Sequence, residues 1–304
     1  MTRDHHRYPL AGLLNLFVTY VVWGSTYLFI RMAVREGAGW GPFWLGATRV
    51  LMAAPILFAF CWYRGVRLKP TRAELIVVAS TGVLMWVVGN GGVNWAEQRV
   101  DSGLAALIVG TMPIWVALME SVIDRRLPSL FLTSSLVVGF GGLVVLTYPM
   151  LKDGVGSDFF GVLAIVLAAF SWGIGTIVIN RRPVALDPIV ISGWQQLAGG
   201  IGFTAIALLV GEAKPQPTPE AWVAWGYLVV FGSLLAYTSF VYAIKLLPAT
   251  VVMTYAYVNP VIAVLLGWLI LSEPITGYTL AGMVLIVGGV YGVFREKGKR
   301  QDGN

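Results

Sequence analysis

The chain has 304 residues, of which 57% are hydrophobic and only 12% charged. Soluble domains carry about 25% charged residues, so this composition, with a mean hydropathy of +0.77, excludes a water-soluble globular protein and indicates a chain that crosses a membrane many times. The net charge of +6 would suit a nucleic-acid binder in a soluble chain. Here the basic residues lie in short gaps between apolar runs, so topology explains them and no nucleic-acid partner is expected.

The N-terminal stretch MTRDHHRYPLAGLLNLFVTYVVWG has a basic start and an apolar run continuing to about Ile30. No Ala-x-Ala site follows it, so a retained first helix is expected rather than a signal peptide. Hydrocarbon about 30 Å thick takes roughly 20 residues at 1.5 Å each. That ruler yields an all-α polytopic protein with ten spans, about 10–30, 43–62, 74–95, 102–122, 129–149, 158–180, 188–210, 220–243, 249–271 and 276–294. With both termini in the cytoplasm, 15 Lys and Arg fall on the cytoplasmic side and 5 on the other, with Arg49 left inside a span. This asymmetry is the one expected of cytoplasmic loops.

Charged and amide side chains inside spans are costly and mark candidate sites. Arg49 sits about seven residues into span two, roughly 10 Å deep at helical rise. It either snorkels or ties helices together, or it anchors a substrate carboxylate. The lone Cys61 in the same span forms no internal disulfide. In span three Trp86, Asn90 and Asn94 are spaced i, i+4, i+8 and share a face, which suits an aqueous cavity or helix–helix hydrogen bonding. Span four carries Thr111-Met112-Pro113 and, near its cytoplasmic end, Glu120, the deepest carboxylate. The others lie at span ends, among them Glu97, Asp101, Asp158 and Glu273. Trp172 in span six and Tyr237 in span eight fall near span centres, away from the interfacial belt where aromatics usually gather. Gln195 lies in the uncharged Trp194-Gln195-Gln196 of span seven. Span nine brings Tyr255, Tyr257 and Asn259, followed by Pro260, whose missing N–H frees a backbone carbonyl. The aromatic residues either wall a substrate site or pack the core.

Three landmarks recur at nearly one offset. Trp23-Gly24 and Trp172-Gly173 are 149 residues apart, the span-opening Pro42 and Pro188 are 146 apart, and Pro113 and Pro260 are 147 apart. Mid-helix prolines and Trp-Gly are common in membrane helices. The shared offset instead points to two five-span repeats, residues 1–149 and 150–304, inverted because five is odd. Such repeats with interrupted helices characterise secondary transporters, whose substrate sites lie near the midplane. Pro113 and Pro260 are then the expected hinges.

These features, with the run NPVIAVLLGWLILSEPIT ending at Glu273-Pro274-Ile275-Thr276, resemble the drug/metabolite transporter superfamily, specifically its ten-span EamA-type carriers. The likeness covers essentially the whole chain, and among these carriers it is greatest to exporters of the YddG type. It implies export of small neutral metabolites, amino acids including aromatic ones, from a bacterial inner membrane. The expected substrate contacts are Trp86, Asn90, Met112, Trp172, Gln195, Tyr237, Tyr255, Tyr257 and Asn259, in a carrier acting as a monomer. Another small metabolite or a drug-like compound is the alternative cargo. A membrane-embedded enzyme or sensor would need catalytic groups clustered at one face, which short loops and two N-terminal histidines do not supply. No G-x-x-x-x-G-K-[ST] occurs, so no ATP-driven motor is expected in the chain, nor are a cofactor, a metal or catalytic residues. Without a midplane carboxylate or histidine relay, a uniporter or facilitator, or a carrier with weak coupling, is expected, Glu120 being the residue to watch.

Overall fold

Prolines and short polar side chains set where the helices begin. Pro42, Pro188 and Pro219 each occupy the first helical position, where the absent N–H costs nothing. Thr71 and Glu74 form a reciprocal capping box, and Asp187 Oδ1 accepts from Ile189 N at 2.8 Å, satisfying a donor of the first turn. The computed structural model describes residues 8–100, 102–152, 159–182, 184–271 and 275–301. These form helices and connecting loops, with no strand among them. The carboxylates Asp101, Asp158 and Glu273, together with Pro274, lie outside the described residues.

The membrane-length helices are α1 Leu10–Val34, α2 Pro42–Tyr63, α3 Arg72–Ala96, α4 Leu104–Asp124, α5 Leu130–Pro149, α6 Phe159–Arg181, α8 Pro219–Leu246, α9 Ala249–Leu266 and α10 Gly277–Glu296. Between α6 and α8 runs α7, Pro188–Leu209. Among the described residues nine helices are long and apolar enough to cross a membrane. The expected seventh span is present as the helix α7 but lacks that hydropathy. The Gln195 and Gln196 side chains that lower it are fully buried, Gln195 between Thr81 of α3 and Tyr237 of α8 and Gln196 against Ser233 of α8. The bundle is apolar on the outside, with Phe17, Leu167, Val284 and Tyr291 exposed, whereas Thr19, Thr81, Ser192 and Asn259 lie inside. That arrangement suits lipid as the solvent.

Two helices depart from α geometry in a way no periodicity argument anticipates. α3 widens to a π-helix over Val83–Asn90, and α8 does so over Leu228–Ala236. The segments start 145 residues apart, close to the repeat offset. Widening frees backbone carbonyls, which cannot go unmet at membrane depth. Ser171 donates to Leu84 O at 2.8 Å, Trp23 Nε1 to Gly232 O at 3.3 Å and Gln196 Nε2 to Ser233 O at 3.1 Å.

α4 breaks at Gly110–Thr111, and Pro113 is the second residue of the helix that resumes, Met112–Asp124. α9 breaks at Met253–Thr254, whereas Pro260 sits inside the following helix Tyr255–Leu271. The second interruption therefore lies six residues before Pro260. It is built from tight i−3 bonds, Thr254 N to Val251 O and Ala256 N to Met253 O, with the Thr254 hydroxyl 2.5 Å from that of Tyr20.

The Trp-Gly pairs have a packing reason. A Cβ on Gly24 would lie 2.7 Å from Ile262 Cβ, and one on Gly173 would lie 3.1 Å from Val116 Cγ2. Each glycine thus seats its helix closely on the other half of the chain, α1 on α9 and α6 on α4, and turns the preceding tryptophan inward.

Candidate functional site

Near the middle of the bundle α1, α2, α3, α4, α6 and α9 surround a cavity of about 70 Å³. That volume is room for several waters at about 10–15 Å³ each. Of the residues expected from the sequence, Arg49, Trp86, Asn90, Met112, Trp172, Tyr255 and Asn259 line it. Trp23, Thr26, Ile30, Gly89, Val93 and Val109 line it as well.

The remaining three expected residues lie elsewhere. Tyr237 and Gln195 form the layer behind the wall. The Tyr237 ring centroid is 4.7 Å from that of Trp86, its hydroxyl donates to Gln195 Oε1 at 3.0 Å, and Gln195 Nε2 donates to Thr81 Oγ1 at 2.8 Å. Tyr257 faces away, donating to Leu136 O at 3.1 Å. Residues two apart on a helix point to nearly opposite sides, so Tyr255 and Asn259, four apart, share the cavity face that Tyr257 cannot.

The wall is chiefly aromatic. Trp23 stands 4.9 Å from both Phe240 and Tyr255 and 5.6 Å from Trp172, centroid to centroid. Phe240 also touches Trp172 at 5.7 Å. Such edge and tilted contacts each add about 0.5–1.5 kcal/mol beyond burial, which makes the cluster a rigid platform. Trp23 had a signal in the sequence as the repeat partner of Trp172. Ile30, Val93 and Val109 had none, being ordinary apolar residues.

The polar groups are few. Arg49 is buried and does not snorkel. Its Nε donates to Ser233 Oγ at 3.0 Å, its guanidinium carbon stands 5.1 Å from the Trp86 ring centroid, and its Nη1 is buried without a partner. Trp172 Nε1 is likewise buried without a partner. Thr26 bonds back to Trp23 O at 2.8 Å, and Tyr255 donates to Met112 S at 3.4 Å. Turned so that its nitrogen faces acceptors, the Asn259 amide donates to Tyr20 O at 3.2 Å and Tyr255 O at 3.1 Å. Asn90 accepts from Asn94 Nδ2 at 3.2 Å, and Asn94 also reaches Pro42 O. The two asparagines divide their work, one at the cavity and one between helices.

Contacts close the end of the bundle that carries most of the basic loops. Arg181 clasps Asp124 through two bonds of 2.5 and 2.8 Å. Thr250 donates to the buried Glu120 at 2.5 Å, and Asn180 donates to Ile244 O at 2.6 Å. At the opposite end Glu97 follows Val93 by one helical turn. Its Oε2 is covered without a partner, and burial pushes the carboxyl up to about 8 against the lowering effect of Arg31.

Comparison with known proteins gives one consistent picture. The model of the EamA-like transporter family matches residues 10–148 and again residues 159–295. The chain is 32% identical to the uncharacterized inner membrane transporter YedA of Escherichia coli strain K12 over 93% of this chain and 92% of that protein. It is 25% identical to the uncharacterized transporter YoaV of Bacillus subtilis, covering 92% and 95%. A solved crystal structure superposes with a TM-score of 0.78 at 18% identity, covering 96% of this chain and 98% of that one, a likeness of fold.

Proposed function

The chain belongs to the EamA-like transporter family, as a multi-pass protein of the inner membrane, and from that premise we propose that it is a secondary carrier of the YddG type. It exports small neutral metabolites, amino acids including aromatic ones, by alternating access through the central cavity. In this reading ten spans form two inverted five-helix repeats with both termini in the cytoplasm, and one chain suffices as the working unit because both halves line the cavity. The double family match, the paired π segments and the Trp-Gly contacts between halves support the repeat. With this orientation the Asp124–Arg181 and Glu120–Thr250 contacts close the cytoplasmic end, and a substrate ring enters as the helices part.

The observation that carries the reading is a buried, charge-unpaired Arg49 in a cavity walled by tryptophans. Buried charges are held by partners, and a substrate carboxylate would be one, while the rings would take an apolar side chain by burial and stacking. The test is counterflow in proteoliposomes with labelled amino acids. Exchange of phenylalanine and tryptophan is expected, and absence of exchange across the panel would overturn the amino-acid assignment.

A further inference from the structure

The cavity is asymmetric in charge. Among the described residues no carboxylate lines it, and none lies within ion-pair distance of Arg49. Its buried polar atoms without a partner, Arg49 Nη1, Trp86 Nε1 and Trp172 Nε1, are all donors. Its acceptors are neutral oxygens, among them Asn90 Oδ1 and, in the turned amide, Asn259 Oδ1. Asn90 Oδ1 holds Asn94, and Ser233 Oγ already takes the Arg49 Nε proton. A zwitterionic amino acid would find a cationic partner for its carboxylate and no anionic one for its ammonium. Arg49 stands over the Trp86 ring at 5.1 Å, and a second cation against any ring of the same small cavity meets like charge in a low-dielectric site. A dianion would need a second cation.

Resting on the carrier reading above, we infer that the recognised unit is a single carboxylate on an aryl or apolar body, with the ammonium not read. Monoanionic carboxylates such as aryl 2-oxo acids are then substrates at least as good as the corresponding amino acids. A consequence follows for energetics. The empty carrier returns with its own charge unchanged, so each cycle with a monoanion moves one net negative charge. An inside-negative membrane potential drives that charge outward, and equilibrium shifts by roughly 50-fold per 100 mV. Transport of a zwitterion moves no net charge.

Purified protein in proteoliposomes, with protein-free liposomes as control, decides this with labelled phenylpyruvate, phenylalanine and phenethylamine under potassium diffusion potentials. The expected result is phenylpyruvate exchange at or above the phenylalanine rate, with phenylpyruvate driven out by an inside-negative potential. Phenethylamine neither moves nor competes. The inference fails if phenylalanine exchanges and phenylpyruvate does not, if phenethylamine competes equally, or if the potential leaves phenylpyruvate flux unchanged. Quenching of intrinsic tryptophan fluorescence by phenylpyruvate in detergent separates the two readings. Quenching lost in Arg49→Gln, with no flux of any compound, removes the carrier reading and keeps the anion site, whereas no quenching and no flux removes both. Arg49→Lys keeps the charge without the planar fork and is expected to weaken phenylpyruvate quenching about 10-fold or more while leaving the protein monodisperse. Quenching equal to wild type in both Arg49 variants overturns the inference.

Discussion

Trp23 and Trp172 meet edge to face, their ring centroids 5.6 Å apart at 77°, although 149 residues separate them in the chain. That separation matches the offset of the Trp-Gly landmark, so each ring touches its own counterpart. In the inverted-repeat reading proposed above, such counterparts would meet only where they flank the pseudo-twofold axis. Both rings also touch Phe240, which joins the two halves in one cluster at the cavity wall.

Trp23→Ala and Trp172→Ala are each expected to weaken substrate binding, and the two changes are expected to couple. Aromatic pairs contribute about 0.5–1.5 kcal/mol beyond burial, so a double-mutant cycle on the Kd of quenching should return a term of that size. Independent sites add to within about 0.3–0.5 kcal/mol, and additivity at that level would show that the pair does not act as a unit.

Gln196→Leu should destabilise the fold without touching the cavity. The Gln196 amide serves Ser233 O in the π segment of α8 and Ser192 Oγ, and leaving a buried carbonyl unmet costs about 1–3 kcal/mol. Thermal unfolding in detergent measures it, and an unchanged Tm would mean that the freed carbonyl finds another donor.

The sequence located the long helices well and the interruptions poorly, for physical reasons. Helical rise and hydrocarbon thickness fix span length, so expected ends such as 43–62 and 129–149 fall within a residue or two of Pro42–Tyr63 and Leu130–Pro149. The π segments leave no composition signal, because their stability comes from donors on other helices, Ser171, Trp23 and Gln196. The α9 break was sought at Pro260, where the local rule is strongest, and lies at Met253–Thr254, where Tyr20 supplies a hydroxyl from α1. The polar and aromatic cavity residues were legible because such side chains are conspicuous in lipid. Tyr257 was conspicuous too, and only the helix register shows that it faces Leu136.

Gly289→Ala should loosen the α5–α10 pair and spare the site. A Cβ there would lie 2.5 Å from the Gly139 Cα, and backbone cannot yield as a side chain does. Overpacking of this kind costs about 1–3 kcal/mol, against close helix contact that only small residues allow. A lower Tm with an unchanged Kd is expected. A change in Kd alone would place α10 in the binding machinery.

Weakening the closed end should expose what lies behind it. The Asp124–Arg181 pair is partly exposed, and pairs of that kind contribute about 0–1 kcal/mol. Asp124→Asn therefore raises the population open at that end by up to about fivefold. In a Cys61→Ser background, the buried Ala117 replaced by Cys reports this through the rate of labelling by a membrane-impermeant thiol reagent. Equal rates with and without Asp124→Asn would show that the latch lies elsewhere.

Proton coupling and simple titration can be told apart through Glu97. No described carboxylate lines the cavity, and Glu120 is held by Thr250 outside it, so an imposed pH gradient should not drive accumulation of phenylalanine. Gradient-driven accumulation lost in Glu120→Gln would instead make Glu120 the coupling site. Glu97 behaves differently because burial raises its carboxyl to about 8. The folded protein then holds a proton that the unfolded chain has released, so the stability attached to it is complete below the usual carboxylate range and is lost as pH rises through 8. The melting temperature should fall over that window, and Glu97→Gln, which stays neutral, should flatten the decline. A decline of equal size in Glu97→Gln would assign the titration to another group.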